Sequence, residues 1–267
     1  MIPLAVLAGP TGSGKTDVGI EIAARFGAEI VSADSMQIYR RLDIGTAKPT
    51  RAQRAMAVHH LIDVAEPDEP FDAARFRDLA DAAIREAASR GRRVLVVGGT
   101  GLYFRVLLYG LARLPPPDPA TRAELEAEAD RAGSAGLHRR LERLDPAAAE
   151  RIHPEDRFRI VRALEVIAAS GRPVSEIRAE HRFAAAGYRH AIVAMDVPRD
   201  ELRDRVRARS RAMLAAGLLD EVRGVLDAGF QPSLRPLRAF GYREPVRCVL
   251  GERSEEGLAE AIARGTM

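Results

Sequence analysis

Eight consecutive residues, Gly9-Pro10-Thr11-Gly12-Ser13-Gly14-Lys15-Thr16, have the types and spacing to hold phosphate oxygens. They fit the pattern G-x-x-x-x-G-K-[ST], in which glycines let the backbone curl so that successive N–H groups point inward at the positive end of the following helix. Lys15 adds a full positive charge, and the hydroxyl of Thr16 suits a magnesium ion bridging two phosphates. Read alone, the loop would suit ATP or GTP as well as another diphosphate.

Chemistry beyond binding must come from neighbouring residues. Asp34 follows the short apolar run Ala28 to Ser32, and Thr100 sits in Gly98-Gly99-Thr100-Gly101 after the run Arg93 to Val97. If both runs are strands of an open α/β sheet, ligands bind beyond their carboxyl ends, which puts Asp34 beside whatever the loop holds. The alternative for Asp34 is a cap on a short helix from Ser35 to Arg40, and for Thr100 a simple helix cap. No acid ends the 93–97 strand, where P-loop NTPases usually hold magnesium, so hydrolase and motor readings weaken. Asp63, after Leu61-Ile62, is the other candidate for that role. His59 and His60 lack a second ligand cluster, which favours strand-edge hydrogen bonding over a metal. Arg203, Arg205, Arg207, Arg209 and Arg211 alternate along a helical segment and cannot all face one ligand. Most are expected in solvent, with one or two reaching the site.

The elements that must position these residues are legible as patterns. An apolar run from Ile2 to Ala8 precedes the loop and an amphipathic segment, Asp17 to Phe26, follows it. A loop at Asp43 to Thr50, with Thr50 as a helix cap, leads to a short strand at Leu61 to Val64. A helix is predicted over Phe71 to Arg90. The apolar run Arg93 to Val97 has the look of a parallel strand covered on both faces, leading to a helix over Leu102 to Leu108. The proline-rich LPPPDP at 114–119 opens a stretch that is helical to about Arg182, and strand character returns at His190 to Val197. Helices are then expected over Arg199 to Gly217, Leu218 to Ala228, Leu237 to Tyr242 and Glu255 to Arg264. The expected fold class is α/β, a P-loop NTPase-like parallel sheet with helices on both faces plus an all-helical insertion domain. The expected boundaries are 1–112 for the first part of the core, 113–186 for the insertion and 187–267 for the second part.

Composition limits the partners. The 267 residues, 46% apolar, suffice for one large or two modest domains, and a net charge of +3 permits a nucleic-acid partner without requiring one. The apolar N-terminal run is too short for a membrane span and lacks a basic leader, so a cytoplasmic location is expected. The single cysteine, Cys248, excludes an intrachain disulfide and reads as a buried, inert thiol. Lys15 and Lys48 are the two lysines in an arginine-rich chain.

Taken together, GPTGSGKT at 9–16, Asp34-Ser35-Met36-Gln37-Ile38-Tyr39-Arg40, Gly45-Thr46-Ala47-Lys48-Pro49, His59-His60-Leu61-Ile62-Asp63, Gly98-Gly99-Thr100-Gly101-Leu102-Tyr103 and Gly241-Tyr242-Arg243-Glu244 resemble the tRNA isopentenyltransferase family, in order and over almost the whole chain. The resemblance implies that Gly9 to Thr16 cradle the diphosphate of dimethylallyl diphosphate, with Mg2+ at Thr16. The acceptor would be the exocyclic amine of the adenosine 3′ to the anticodon in tRNA. Because that amine's lone pair is delocalised into the ring, a base must take its proton as the bond forms, and Asp34 is the expected base. The family pattern R-[IV]-x-x-R-x-x-x-M selects Arg205 and Arg209, and Arg209 is assigned with Thr100 to the diphosphate. Asp34, Ser35, Met36, Gln37 and Thr100 would read the extruded adenine, and Arg122, Arg159 and Arg162 of the insertion would touch tRNA. A monomer is expected. The alternatives are an adenylate isopentenyltransferase acting on a free nucleotide, a P-loop small-molecule kinase, and a non-catalytic nucleotide-binding module; the helical insertion favours tRNA. Family members continue past the equivalent of Ala263 to Thr266 with a basic stretch, so a C-terminal truncation of the core is expected.

Overall fold

The computed structural model describes residues 1–112, 114–181 and 187–267. They divide into two compact units, Met1–Leu108 with Gly187–Met267, and Tyr109–Ala186. In chain order the first unit begins with β1 (Pro3–Ala8), α1 (Lys15–Phe26), β2 (Ala28–Ala33), α2 (Arg51–Met56), β3 (His59–His60), α3 (Ala73–Ser89), β4 (Arg93–Gly98) and α4 (Gly101–Tyr109). The second unit holds α5 (Pro119–Leu144), α6 (Pro146–Ala149), α7 (Arg157–Ser170) and α8 (Val174–His181). The first unit then resumes with β5 (Arg189–Ala194), α9 (Arg199–Ala215), α10 (Leu218–Asp227), α11 (Arg243–Val249) and α12 (Leu258–Thr266).

The five strands form one parallel sheet in the order β3-β2-β4-β1-β5. Apolar side chains run continuously along β4 because both of its faces are covered; Val94, Leu95, Val96 and Val97 are all buried. On one face α1 lies against the sheet, where Leu7, Ile20, Ala23, Ile30, Leu95 and Val97 form a cluster. Strand β5 is an edge, and Ile192 and Val193 are 50% and 63% exposed. Among the described residues no helix is long and apolar enough to cross a membrane.

At the carboxyl edge the backbones of β2 and β4 approach too closely for a side chain. Gly98 pairs with Ala33, and a Cβ at position 98 would lie 2.2 Å from the Ala33 carbonyl oxygen. The backbone then locks across the gap: Gly9 N–H donates to Gly98 O (3.3 Å) and Thr100 N–H to Ala33 O (3.2 Å).

Three local expectations are corrected. The third strand is the His59–His60 pair itself, which sits beside Ile30 and Val31, and not Leu61 to Val64. Leu61 and Asp63 take the left-handed backbone, φ 63° and 59°, which no strand accommodates. Ser35 to Arg40 form turns, with Tyr39 bridging Ala65, instead of a helix; Asp34 Oδ1 accepts the N–H groups of Met36 (2.9 Å) and Gln37 (3.3 Å) as a cap would, but no helix continues from it. Residues 237 to 242 are also turns, and the helix starts at Arg243. Cys248 is half-buried, and burial raises its thiol pKa, keeping it protonated and unreactive.

In the second unit, α5, α6, α7 and α8 pack around Leu125, Leu137, Leu141, Ile160, Leu164 and Val174. Two buried carboxylates organise it. Asp145 caps α6 through Ala148 N–H (3.0 Å) and accepts from both the N–H (2.9 Å) and hydroxyl (2.6 Å) of Ser175 at the start of α8. Glu165, its side chain fully buried, accepts from Arg122 and Arg162 (2.8 Å each) and from Asp118 N–H (3.0 Å).

Gly98→Ala forces the β2 and β4 backbones apart. It is expected to lower stability by about 3 kcal/mol, as overpacking against unyielding backbone does, measured as a fall in the urea midpoint without a change in slope.

Candidate active site

The loop between β1 and α1 places its backbone as the sequence pattern predicts: Gly12 and Gly14 both have φ 86°, a conformation open to glycine, and Gly14 forms the N-cap of α1. Lys15 opens the helix, and its Nζ reaches back 3.3 Å to Pro10 O across the loop. The buried Ser13 Oγ has no hydrogen-bond partner.

Two cavities meet over this loop. The smaller is lined by Lys15, Thr16, Ser32, Asp34, Gln37 and Arg209 among others. The larger, about 330 Å³, is lined by Asp34, Ser35, Met36 and Thr100 and by the aromatic residues Tyr39, Phe71, Tyr103 and Phe240. Thr11, Asp34, Thr46 and Arg209 border both. Asp34 is the one carboxylate in either lining. The smaller cavity is polar and cationic; the larger mixes polar groups, Arg235 among them, with aromatic and aliphatic side chains, and Asp34 and Arg209 lie where the two join.

The charges there feel one another. Burial lowers the Lys15 pKa below the ordinary lysine value; Asp34 opposes that shift and Arg209 adds to it. Burial likewise lowers that of Arg209, again opposed by Asp34. Two partly dehydrated cations facing one carboxylate leave an excess positive charge, the condition that draws an anionic ligand. Asp34 spends Oδ1 on the N–H groups of Met36 and Gln37, which leaves Oδ2 free of those bonds in a residue that lines both cavities. Thr100 Oγ1 accepts the Ser35 N–H (3.1 Å), which leaves its own proton to donate.

Of the five alternating arginines, Arg209 reaches the cavities. Arg205 pairs with Glu201 (2.6 Å) and touches Ser13 O (3.3 Å). Arg203 pairs with Asp200, Arg207 with Asp204 and Glu260, and Arg211 is exposed. Gln37 is 8% exposed and its side chain is occupied: Nε2 donates to Thr46 O (3.3 Å) and Ala47 O (3.2 Å), and Oε1 accepts from Ser32 (3.3 Å). Asp63 is turned away from the loop. Burial would raise its pKa, but Lys48 (2.5 Å) and Arg54 (2.8 Å) outweigh that and hold it below the usual carboxylate range. His60 bonds Glu29 (2.7 Å) and His59 bonds Ala57 O (2.8 Å). Among the described residues no group of three or more His, Cys, Asp or Glu side chains could hold a metal.

In the second unit, Arg122 and Arg162 are held by Glu165, while Arg159 is 69% exposed beside Asp156 (3.4 Å). Sequence reasoning missed Glu221, whose carboxylate binds the loop at 43–45, and gave Lys48 no partner. Glu221 carries no motif-level signal, since an acid on an amphipathic helix reads as solvated, whereas Lys48 stands in a recognisable motif that does not name its partners.

A family model described as IPP transferase matches residues 37–267. The chain is 53% identical over 261 residues to a protein named tRNA dimethylallyltransferase from Anaeromyxobacter sp. (strain Fw109-5), covering 98% of this chain and 85% of that one. It is 48% identical over 265 residues to tRNA dimethylallyltransferase 2 of Geotalea uraniireducens (strain Rf4), covering 99% and 86%. Among solved structures, the full-length tRNA isopentenylpyrophosphate transferase of Bacillus halodurans superposes with a TM-score of 0.70 at 35% identity, covering 100% of this chain and 83% of that one.

The lowered Lys15 pKa gives a pH signature. Inorganic diphosphate binding is expected to weaken as pH rises through a value below that of ordinary lysine, because loss of the ammonium proton removes a cation from the pocket. Calorimetric titration across the alkaline range measures this, and Lys15→Met should flatten the profile.

Proposed function

The chain belongs to the IPP transferase family, and from that premise we propose that it transfers a dimethylallyl group from dimethylallyl diphosphate to the exocyclic amine of the adenosine 3′ to the anticodon in tRNA, releasing diphosphate. The observation that carries this reading is Asp34, the one carboxylate lining either cavity, set between two cations and the larger, partly aromatic cavity. A small-molecule kinase can also place a carboxylate base beside aromatic side chains, so it is the family match, together with Asp34, that favours prenyl transfer to adenine over phosphoryl transfer.

In the proposed reaction the amine attacks C1 of the dimethylallyl group, the C1–O bond breaks, and diphosphate leaves with the bonding electron pair. Lys15, Arg209, the loop N–H groups and the Thr100 hydroxyl offset the negative charge that develops on the leaving oxygen. Asp34 accepts the amine proton through Oδ2. Oδ1 remains fixed by the Met36 and Gln37 N–H groups, so the base is aimed before the acceptor arrives. Phe240, 66% exposed in the lining of the larger cavity, offers apolar surface to an extruded base or the prenyl chain, over a floor that includes the buried Tyr39, Phe71 and Tyr103. Gln37 serves this site by fixing the segment that carries Asp34.

Magnesium fits the donor set in a limited way. Thr16 would hold it by its hydroxyl beside the diphosphate oxygens, since Mg2+ is commonly bound by one or two protein groups with the rest from phosphate and water. It would supply further neutralisation of the leaving group.

The helical unit is proposed to grip the tRNA stem. Arg159 is exposed to meet phosphates, while Arg122 and Arg162 are pre-oriented by Glu165 and retain one net positive charge among the three groups.

Incubation with Mg2+, dimethylallyl diphosphate and either unmodified tRNA or AMP, followed by nucleoside analysis, should yield prenylated adenosine from tRNA alone. Product from AMP alone, or ATP consumption without prenylation, would overturn the reading. Asp34→Ala is expected to lower kcat by roughly 10²- to 10⁴-fold while diphosphate affinity stays largely intact. A parallel loss of diphosphate binding would make Asp34 a ligand-site residue and not the base.

A further inference from the structure

Glu221, in the first turn of α10, has a carboxylate wholly committed to one target. Its Oε2 accepts the N–H groups of Asp43 and Ile44, both at 2.7 Å, and its Oε1 accepts Gly45 N–H (3.2 Å) and the Tyr242 hydroxyl (2.6 Å). Three consecutive backbone donors converging on one anion are normally met where a protein binds a phosphate; here a side chain fills that role. Tyr242 is fully buried, and the hydroxyl end of its ring lies close against the loop: a Cβ on Gly45 would come within 2.4 Å of it.

The held loop does not end in solvent. Thr46 O and Ala47 O receive the Gln37 amide, and Gln37 N–H is received by Asp34 Oδ1. Lys48, its side chain 2% exposed, closes the same loop by donating to Tyr39 O (2.6 Å), Asp43 (2.6 Å) and Asp63 (2.5 Å). Gly45 and Thr46 also line the larger cavity. A path of hydrogen bonds and the backbone of residues 43–47 therefore runs from α10 to the carboxylate of Asp34, and none of those hydrogen bonds is made to the phosphate loop.

We propose that Glu221 and Tyr242 are positioning residues for the acceptor: they clamp residues 43–47, which through Gln37 set the geometry of the segment Asp34 to Gln37 that presents the base. The proposal rests on the prenyl-transfer reading above. Its consequence is a division of labour in which the clamp acts first on the adenine side of the site, while the diphosphate side, built mainly from β1, α1 and α9, meets the clamped segment only through its edge, at the Ser35–Thr100 bond and the charge of Asp34.

Glu221→Gln tests this with little change of volume. Whichever way its amide turns, an NH2 group faces a backbone donor, so the clamp loosens. The measurements are steady-state prenylation of unmodified tRNA and calorimetric binding of inorganic diphosphate. The expected result is a fall in kcat/KM for tRNA of about tenfold or more, with diphosphate affinity unchanged within about twofold. Tyr242→Phe keeps the three backbone bonds and should show a smaller loss in the same parameter. Gly45→Ala, which displaces the Tyr242 ring, should mimic Glu221→Gln, and the double variant should be no worse than the poorer single one. Unchanged kcat/KM, a parallel loss of diphosphate affinity, or additive losses would each overturn the proposal. If Glu221→Gln fails to fold, Tyr242→Phe decides: full activity overturns it, and an acceptor-only defect supports it. Wild-type chain that leaves tRNA unprenylated would sink the functional reading, a failure visible before any variant is compared.

Discussion

At the carboxyl edge of the sheet the backbones of β2 and β4 close to a distance that admits no side chain, and the site depends on that contact. Gly98 sits against the Ala33 carbonyl, which also accepts the Thr100 N–H, so the two strand ends are joined as they leave the sheet. Asp34 and Thr100, far apart in sequence, thereby become neighbours through the Ser35–Thr100 bond. The same Gly98 carbonyl receives Gly9 N–H and brings the phosphate loop alongside. Three segments that hold the chemistry are thus tied by four backbone groups, and rigidity at that point is what lets a single carboxylate be aimed.

Charge and enclosure do the rest. Lys15 and Arg209 are kept partly dehydrated, which makes each a stronger partner for an anion than it would be in water. The second lysine shows the opposite use of the same group. Lys48 is buried among two carboxylates and a carbonyl, where a compact ammonium with three donors fits a convergent set of oxygens better than a planar guanidinium. In an arginine-rich chain both lysines occupy places where a point charge is required.

Much of the fold was legible because local chemistry and overall architecture agree. The phosphate loop, the apolar strand Arg93 to Val97 and the return of strand character after a long helical stretch each carry a pattern with a mechanism, and the sheet formed from them is parallel. The errors lie where tertiary contacts override local pattern. Leu61 and Asp63 follow an apolar rhythm but take positive φ, because Asp63 is drawn to Lys48 and Arg54. The short helix after Asp34 was plausible, and the cap bonds to Met36 and Gln37 N–H are made, yet the chain goes on to pair Tyr39 with Ala65 instead of winding into a helix. Arg209 could not be singled out from its neighbours by spacing, and the family pattern selected it. Glu221 was invisible for a deeper reason: its partners are backbone N–H groups at 43–45, which have no sequence signature.

The second unit leaves the first after Leu108 and the chain re-enters at Gly187, where Gly187 N–H donates to Leu108 O at 2.9 Å. Exit and entry are one hydrogen bond apart. To the sheet, everything between them is a closed loop of almost zero span, and the entropic cost of such a loop grows only with the logarithm of its length. The first unit is therefore nearly indifferent to how large its insert is, so the insert can lengthen, shorten or change its surface while the carboxyl edge of the sheet stays as it is.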